Sequence, residues 1–187
     1  MLFNSLAFIF FYLPVVLTGF FVLGRRSPVA AAAWLTLASL FFYGWWNPAY
    51  VGLLAASMAF NYWLGVRIVR ARSASDALRA RRLLTFAIVA DLALLAYYKY
   101  ANFFLDNLNA SLGTQISLGA IILPLGISFF TFTQIAFLVD AYQGKAREYS
   151  FIHYCLFVTY FPHLIAGPIL HHAEMMPQFA QRETYRP

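Results

Sequence analysis

Charge is scarce in this chain. Lys, Arg, Asp and Glu make up 11% of its 187 residues, and 62% are hydrophobic. A soluble domain is about 25% charged and about 45–50% apolar. So little charge cannot clothe a water-soluble core of this size, which excludes an ordinary soluble globule and points to a bilayer. Acid is scarcer than base, with 7 Asp+Glu against 13 Lys+Arg, a net +6. The basic residues lie between apolar runs, so their excess reads as membrane topology, and no nucleic-acid partner is expected. A single cysteine, Cys155, excludes an internal disulfide and reads as a small buried apolar residue. Strand-period alternation is missing too, which leaves helices rather than a barrel. The sequence has no Walker loop, G-x-G-x-x-G, nucleophile elbow or H-E-x-x-H, so nucleotide, serine-hydrolase and helical zinc-protease chemistry have no motif here, and no metal is expected. The first apolar run lacks a basic start and an A-x-A cleavage pattern and is too long for a signal sequence, which predicts an uncleaved first membrane helix.

What is present is a succession of apolar spans. The expected fold is all-α: a polytopic helical membrane protein with about five or six membrane-embedded segments in a single membrane domain over residues 1–187. Span one runs from about Ser5 to Leu23, with Pro14 expected to kink it. Span two, about Val29 to Tyr43, is short for a core that usually takes ~20 residues. Trp45-Trp46-Asn47-Pro48 reads as an interfacial turn. Span three covers about Tyr50 to Ile68, and span four about Leu83 to Leu105. Between them residues 67–82 read as a basic cytoplasmic loop, with Arg67, Arg70, Arg72, Arg79, Arg81 and Arg82 against the one acid Asp76. A polar segment, Asp106–Ser117, precedes a Pro/Gly-broken region over 118–170. That region predicts a short re-entrant or interfacial piece before Pro124, span five from about Gly126, and a last segment, Phe151–Ile169, interrupted by Pro162, Gly167 and Pro168.

The arginines orient the chain. With the N-terminus outside, Arg25, Arg26, the six-Arg segment, Lys145 and Arg147 all fall on the inner side, while the Trp45-Trp46 turn and Asp106–Ser117 fall outside without a basic residue. That is the positive-inside pattern, and it predicts a bacterial inner-membrane protein with its N-terminus outside. The arginine segment could hold anionic lipid or an anionic thioester cofactor, and topology alone also accounts for it.

Polar residues within apolar spans mark candidate positions. Asp91 lies ~12 Å into span four at ~1.5 Å per residue, where an acid is costly and needs a partner or a cavity. Arg82 is too far along the helix to pair with it. Asp91 is therefore either protonated or hydrogen-bonded across to a group such as Asn61, and both an inter-helix bond and a cavity-lining role fit. Gln134 and Asp140 lie on span five, with Asp140 near Lys145 and Arg147, where a local ion pair is expected. Lys99, among Tyr97, Tyr98 and Tyr100, reads as a snorkelling lysine in an aromatic belt. His153, His163, His171 and His172 crowd the last third. Polar lining of a substrate path, interfacial roles and catalytic bases all remain open for them. The substrate-path candidates are His163, Gly167, Pro168, His171, His172, Gln134 and Asp91.

Several stretches carry a family resemblance: Phe42-Tyr43-Gly44-Trp45-Trp46-Asn47-Pro48, Asn61-Tyr62-Trp63-Leu64-Gly65, Tyr98-Lys99-Tyr100-Ala101-Asn102, Leu123-Pro124-Leu125-Gly126-Ile127-Ser128-Phe129-Phe130, Leu138-Val139-Asp140-Ala141-Tyr142, and Phe161 to Ile169 with His171-His172. Together they resemble the membrane-bound O-acyltransferase family, in the branch that acetylates bacterial polysaccharides such as alginate. The resemblance implies a ring of helices around a thin wall, with no bound cofactor. It implies a cytoplasmic acyl thioester donor such as acetyl-CoA, and an acceptor hydroxyl on the far side, on a polysaccharide or a periplasmic acetylation partner. It places the family's catalytic histidine, with an upstream Asn or Asp, beyond Pro187, so no catalytic residue is carried onto this chain. The expected function is the N-terminal part of such an acetyltransferase, inactive alone. The alternative is a non-catalytic membrane scaffold or transport subunit.

Overall fold

The computed structural model describes residues 3–119, 121–145 and 150–164. Its elements are a π-helical turn Phe8–Tyr12 running into α1 (Leu13–Gly24), then α2 (Pro28–Gly44), α3 (Ala49–Ser73), α4 (Ala77–Leu112), α5 (Ile127–Gln143), α6 (Phe151–Thr159) and α7 (Phe161–Leu164). There is no strand among the described residues. The helices α3 and α4 are long and apolar enough to cross a membrane, and Phe8–Gly24 and α2 are shorter apolar helices.

Local chemistry sets the boundaries. Pro14 has no N–H to give to the preceding turn and its ring crowds that turn. The chain answers with a wider turn, in which the N–H of Leu13 donates to the carbonyl of Phe8, five residues back. The break expected at Pro14 is thus a π turn. α2 opens with Pro28 in its first turn and Ser27 as an extended cap whose hydroxyl accepts the Ala30 N–H at 3.4 Å. α4 is capped by the Asp76 carboxylate on the Arg79 N–H at 3.0 Å and closed by left-handed Gly113, φ 65°. α5 starts after left-handed Gly126, φ 68°, as the Pro124–Gly126 break predicts.

The structure redraws three segments. Residues 67–82 are not an extended loop: α3 runs to Ser73 and α4 starts at Ala77, leaving a turn in which Ser75 has φ 59°. Arg and Ala are strong helix formers, so both helices continue past the apolar boundary. α4 also reaches Leu112, through much of the segment read as polar connection, before left-handed Gly113 ends it. Before Pro124, residues 114–119 and 121–124 carry no helix.

Two cores form around one short helix. α1 packs on α2; α3, α4 and α5 pack on one another; α6 lies against α2 and also touches α3 and α5. Leu156 joins Phe8, Tyr12, Val16, Leu35 and Phe42 in one core. Tyr154, Cys155, Phe157 and Val158 join Leu54, Leu64, Phe130 and Phe137 in the other. Every residue from Tyr154 to Thr159 is buried, so this helix, ~14 Å long at 1.5 Å per residue, joins the two halves. Close approach needs small residues. A Cβ on Gly19 would lie 2.4 Å from the Trp34 indole, and one on Gly65 would lie 2.5 Å from the Phe137 ring.

Candidate functional site

Four helices bring polar side chains to one buried point. Ser57 and Asn61 stand one turn apart on α3, a spacing that puts both on one helix face. Asp91 comes from α4, Gln134 from α5 and Tyr154 from α6. All but Ser57 are buried, Asn61 and Gln134 completely. The Asn61 side-chain amide donates to Asp91 Oδ1 at 2.8 Å, to Gln134 Oε1 at 2.6 Å and to the Ser57 carbonyl at 3.1 Å. Gln134 Oε1 also accepts from Ser57 Oγ at 3.1 Å and, more loosely, from the Tyr154 hydroxyl at 3.4 Å.

Asn61 is the hub because, among the described residues of this cluster, it places a donor between two acceptors on different helices. An amide has two N–H bonds, so the three acceptors around Asn61 Nδ2 share them. Asn61 Oδ1, Asp91 Oδ2 and Gln134 Nε2 are buried without a hydrogen-bond partner. The cluster ties α3, α4, α5 and α6 in one register, at the cost of polar atoms left unpaired in an apolar interior.

The sequence candidates separate accordingly. Asp91 and Gln134 meet at this node, and the bond from Asn61 to Asp91 is the inter-helix alternative stated for that acid. His163 lies on the backbone of α7. Gly167, Pro168, His171 and His172 lie outside the described residues. Asp140 does not make the expected ion pair with Lys145: Asp140 Oδ2 is buried without a partner, and Lys145 instead donates its backbone N–H to the Asp140 carbonyl at 2.9 Å. Arg147 lies outside the described residues. Lys99 sits with Nζ 5.4 Å from the Tyr100 ring, as an aromatic-belt lysine does. Sequence reasoning missed Ser57 and Tyr154. The Ser57–Asn61 spacing inside an apolar span was a usable signal for the first, while nothing in the sequence pointed Tyr154 at Gln134. Among the described residues no three His, Cys, Asp or Glu side chains gather as metal ligands.

A second polar feature lies at the far end of α4. Asn109 folds the following segment back, its Oδ1 accepting from Thr114 Oγ1 at 2.8 Å and the Ile116 N–H at 2.9 Å, and its Nδ2 donating to the Ile116 carbonyl at 2.8 Å. The cavity of about 570 Å³ beside it is lined by residues such as Asn102, Asp106, Asn109, Gln115 and Ser117. These are hydrogen-bonding groups with a single carboxylate.

No family model matches the chain, and no solved structure matches it. Curated relatives do. The peptidoglycan O-acetyltransferase of Helicobacter pylori is 40% identical over 211 residues, covering 98% of this chain and 40% of that protein. The probable alginate O-acetylase AlgI of Pseudomonas aeruginosa is 41% identical over 187 residues, covering 97% of this chain and 35% of its own length. That of Azotobacter vinelandii is 42% identical, with 97% and 36% covered. The chain therefore spans well under half the length of the relatives it matches.

Proposed function

We infer the function from kinship: the chain belongs to the membrane-bound O-acyltransferases, and its relatives lie in the branch named for acetylating peptidoglycan and alginate. In our reading it is the N-terminal part of a membrane O-acetyltransferase that passes acetyl groups from a cytoplasmic acyl thioester, acetyl-CoA by preference, to hydroxyls of an exported polysaccharide. The acceptor is the polymer itself or a periplasmic partner protein. The observation that carries this is alignment of 97–98% of the chain, at 40–42% identity, with acetylases named for two different polymers. In the transfer an acceptor hydroxyl oxygen attacks the thioester carbonyl, the carbon–sulfur bond breaks, and the thiol leaves with the proton. That chemistry needs a base and a group to steady the developing oxyanion. The family resemblance places the catalytic histidine beyond Pro187. The part assigned here to α3–α6 is a fixed wall, pinned by the Asn61 node, against which such a site is held.

The orientation belongs to the same proposal: inner membrane, about five or six embedded segments, N-terminus outside, arginines of 67–82 in the cytoplasm. Cysteine labelling in that turn checks it, and reaction with a membrane-impermeant reagent in intact cells would invert it. Deleting the gene and assaying the exported polysaccharide by proton NMR tests the function. Loss of O-acetyl signals with export intact supports the acetyltransferase. Export lost while the remaining polymer keeps its acetyl groups would favour the scaffold or transport subunit.

A further inference from the structure

The structure sorts the six arginines of the α3–α4 turn by what they touch. Arg72 is a strut. Its guanidinium donates to the Tyr142 carbonyl and lies 5.7 Å from the Tyr142 ring. It fastens the turn to the C-terminal end of α5, where a cation is favourable. Arg67, Arg70 and Arg79 instead line a cavity of about 410 Å³ with Ala71, Ala74 and Asp76. Arg81 and Arg82, a few residues along α4, do not line it.

We propose that this cavity is a binding site for a phosphate group, carried by an anionic lipid headgroup or by a soluble phosphorylated ligand. Three arginines line it with a single carboxylate residue. That carboxylate, on Asp76, accepts the Arg79 backbone N–H at 3.0 Å as the cap of α4. Among the described residues none of the three arginines is in an ion pair, and against the one acid Asp76 the lining carries an excess of positive charge. Guanidinium forks match the geometry of phosphate oxygens. Arg67 is already placed, its guanidinium 3.8 Å from the centre of the Trp63 ring. Trp63 is half exposed, and an indole of that kind sits well at headgroup depth. Ala71 and Ala74 keep the space open, and the volume falls in the ~300–1,000 Å³ range of small-ligand clefts. Positive-inside topology treats arginines as interchangeable charges near a span end. It gives no reason for three to surround a cavity while two others on the same turn stay clear of it. The proposal does not depend on the acetyltransferase reading.

The test uses the full-length protein, delipidated in neutral detergent, with two probes: short-chain phosphatidylglycerol and adenosine 3′,5′-bisphosphate. Binding is followed by native mass spectrometry. The wild type should bind at least one probe, and the one it binds identifies the source of the phosphate. The R67Q/R70Q/R79Q variant should weaken that binding at least tenfold, and R81Q/R82Q by less than twofold. If the triple Gln variant does not fold, R67K/R70K/R79K keeps the topological charge and should still weaken binding at least threefold relative to R81K/R82K. Binding of neither probe, equal losses in the lining and non-lining variants, or full binding by the lining variant would overturn the proposal.

Discussion

At the scale of single residues, the decisive fact is that Asn61 touches both Asp91 and Gln134. Leaving a buried polar group unpaired costs about 1–3 kcal/mol, more for a charged group. Asn61→Leu strips the Asn61 donor from Asp91 Oδ1 and one of three donors from Gln134 Oε1. It should therefore lower stability by about 2–4 kcal/mol. Asp91→Asn keeps an oxygen for Asn61 to donate to and removes a charge from an apolar interior, so it should stay within about 1 kcal/mol of wild type. Thermal unfolding in detergent measures both. If Asp91→Asn retained stability yet abolished polysaccharide acetylation in cells, the carboxylate would have a chemical role beyond this structural bond. Asp91 was legible in the sequence because an acid in an apolar span is conspicuous. Its partner could be named as Asn61 because both residues sit in the middle of adjacent spans. Tyr154 was not legible, because a tyrosine in an aromatic-rich segment carries no mark of where its hydroxyl points.

At the scale of elements, apolar runs locate the embedded part of each helix well and its ends poorly. Spans two and five were read to within a few residues of α2 and α5. α4 proved longer at both ends, and at its start Ala, Leu and Arg sustain a helix where hydrophobicity has already fallen. α6 carries no face signal, since it is buried from Tyr154 through Thr159 and needs no polar side. The element contact most exposed to a test is the one between α3 and α5 at Gly65. Phe137 is fully buried in the same core, so its ring has little room to move away from an added methyl group. Gly65→Ala should destabilise the fold by roughly 1–3 kcal/mol. Gly52→Ala, where an added Cβ meets nothing within 4 Å, should be neutral or slightly stabilising, since Ala favours the helix by about 1 kcal/mol. Equal melting temperatures for the two variants would contradict the close α3–α5 packing.

At the scale of the whole molecule, the apolar faces that remain open matter most. Large apolar side chains such as Leu6, Phe11, Leu37, Phe86, Val89, Phe103 and Phe104 are exposed along the π-helical turn and the residues before it, α2 and α4. Lipid can cover those. Asp140 Oδ2, Asn61 Oδ1, Asp91 Oδ2 and Gln134 Nε2 are instead already enclosed by these helices without a partner, a standing cost that leaves the fold little stability to spare. The relatives are far longer than the matched segment, which covers 35–40% of them. In our reading the rest of the relatives' length is the source of further packing and of the catalytic histidine. Residues 1–187 expressed alone should therefore self-associate, aggregate or be degraded, and should transfer no acetyl group. Incubating the purified segment in detergent with acetyl-CoA and a hydroxyl acceptor decides the matter. Turnover above that of a His163→Ala, His171→Ala, His172→Ala variant would place acyl-transfer chemistry in this part of the protein and refute the division of labour argued here. Turnover restored only on co-expression with a segment matching the rest of the relatives' length would show that two such parts build one site between them.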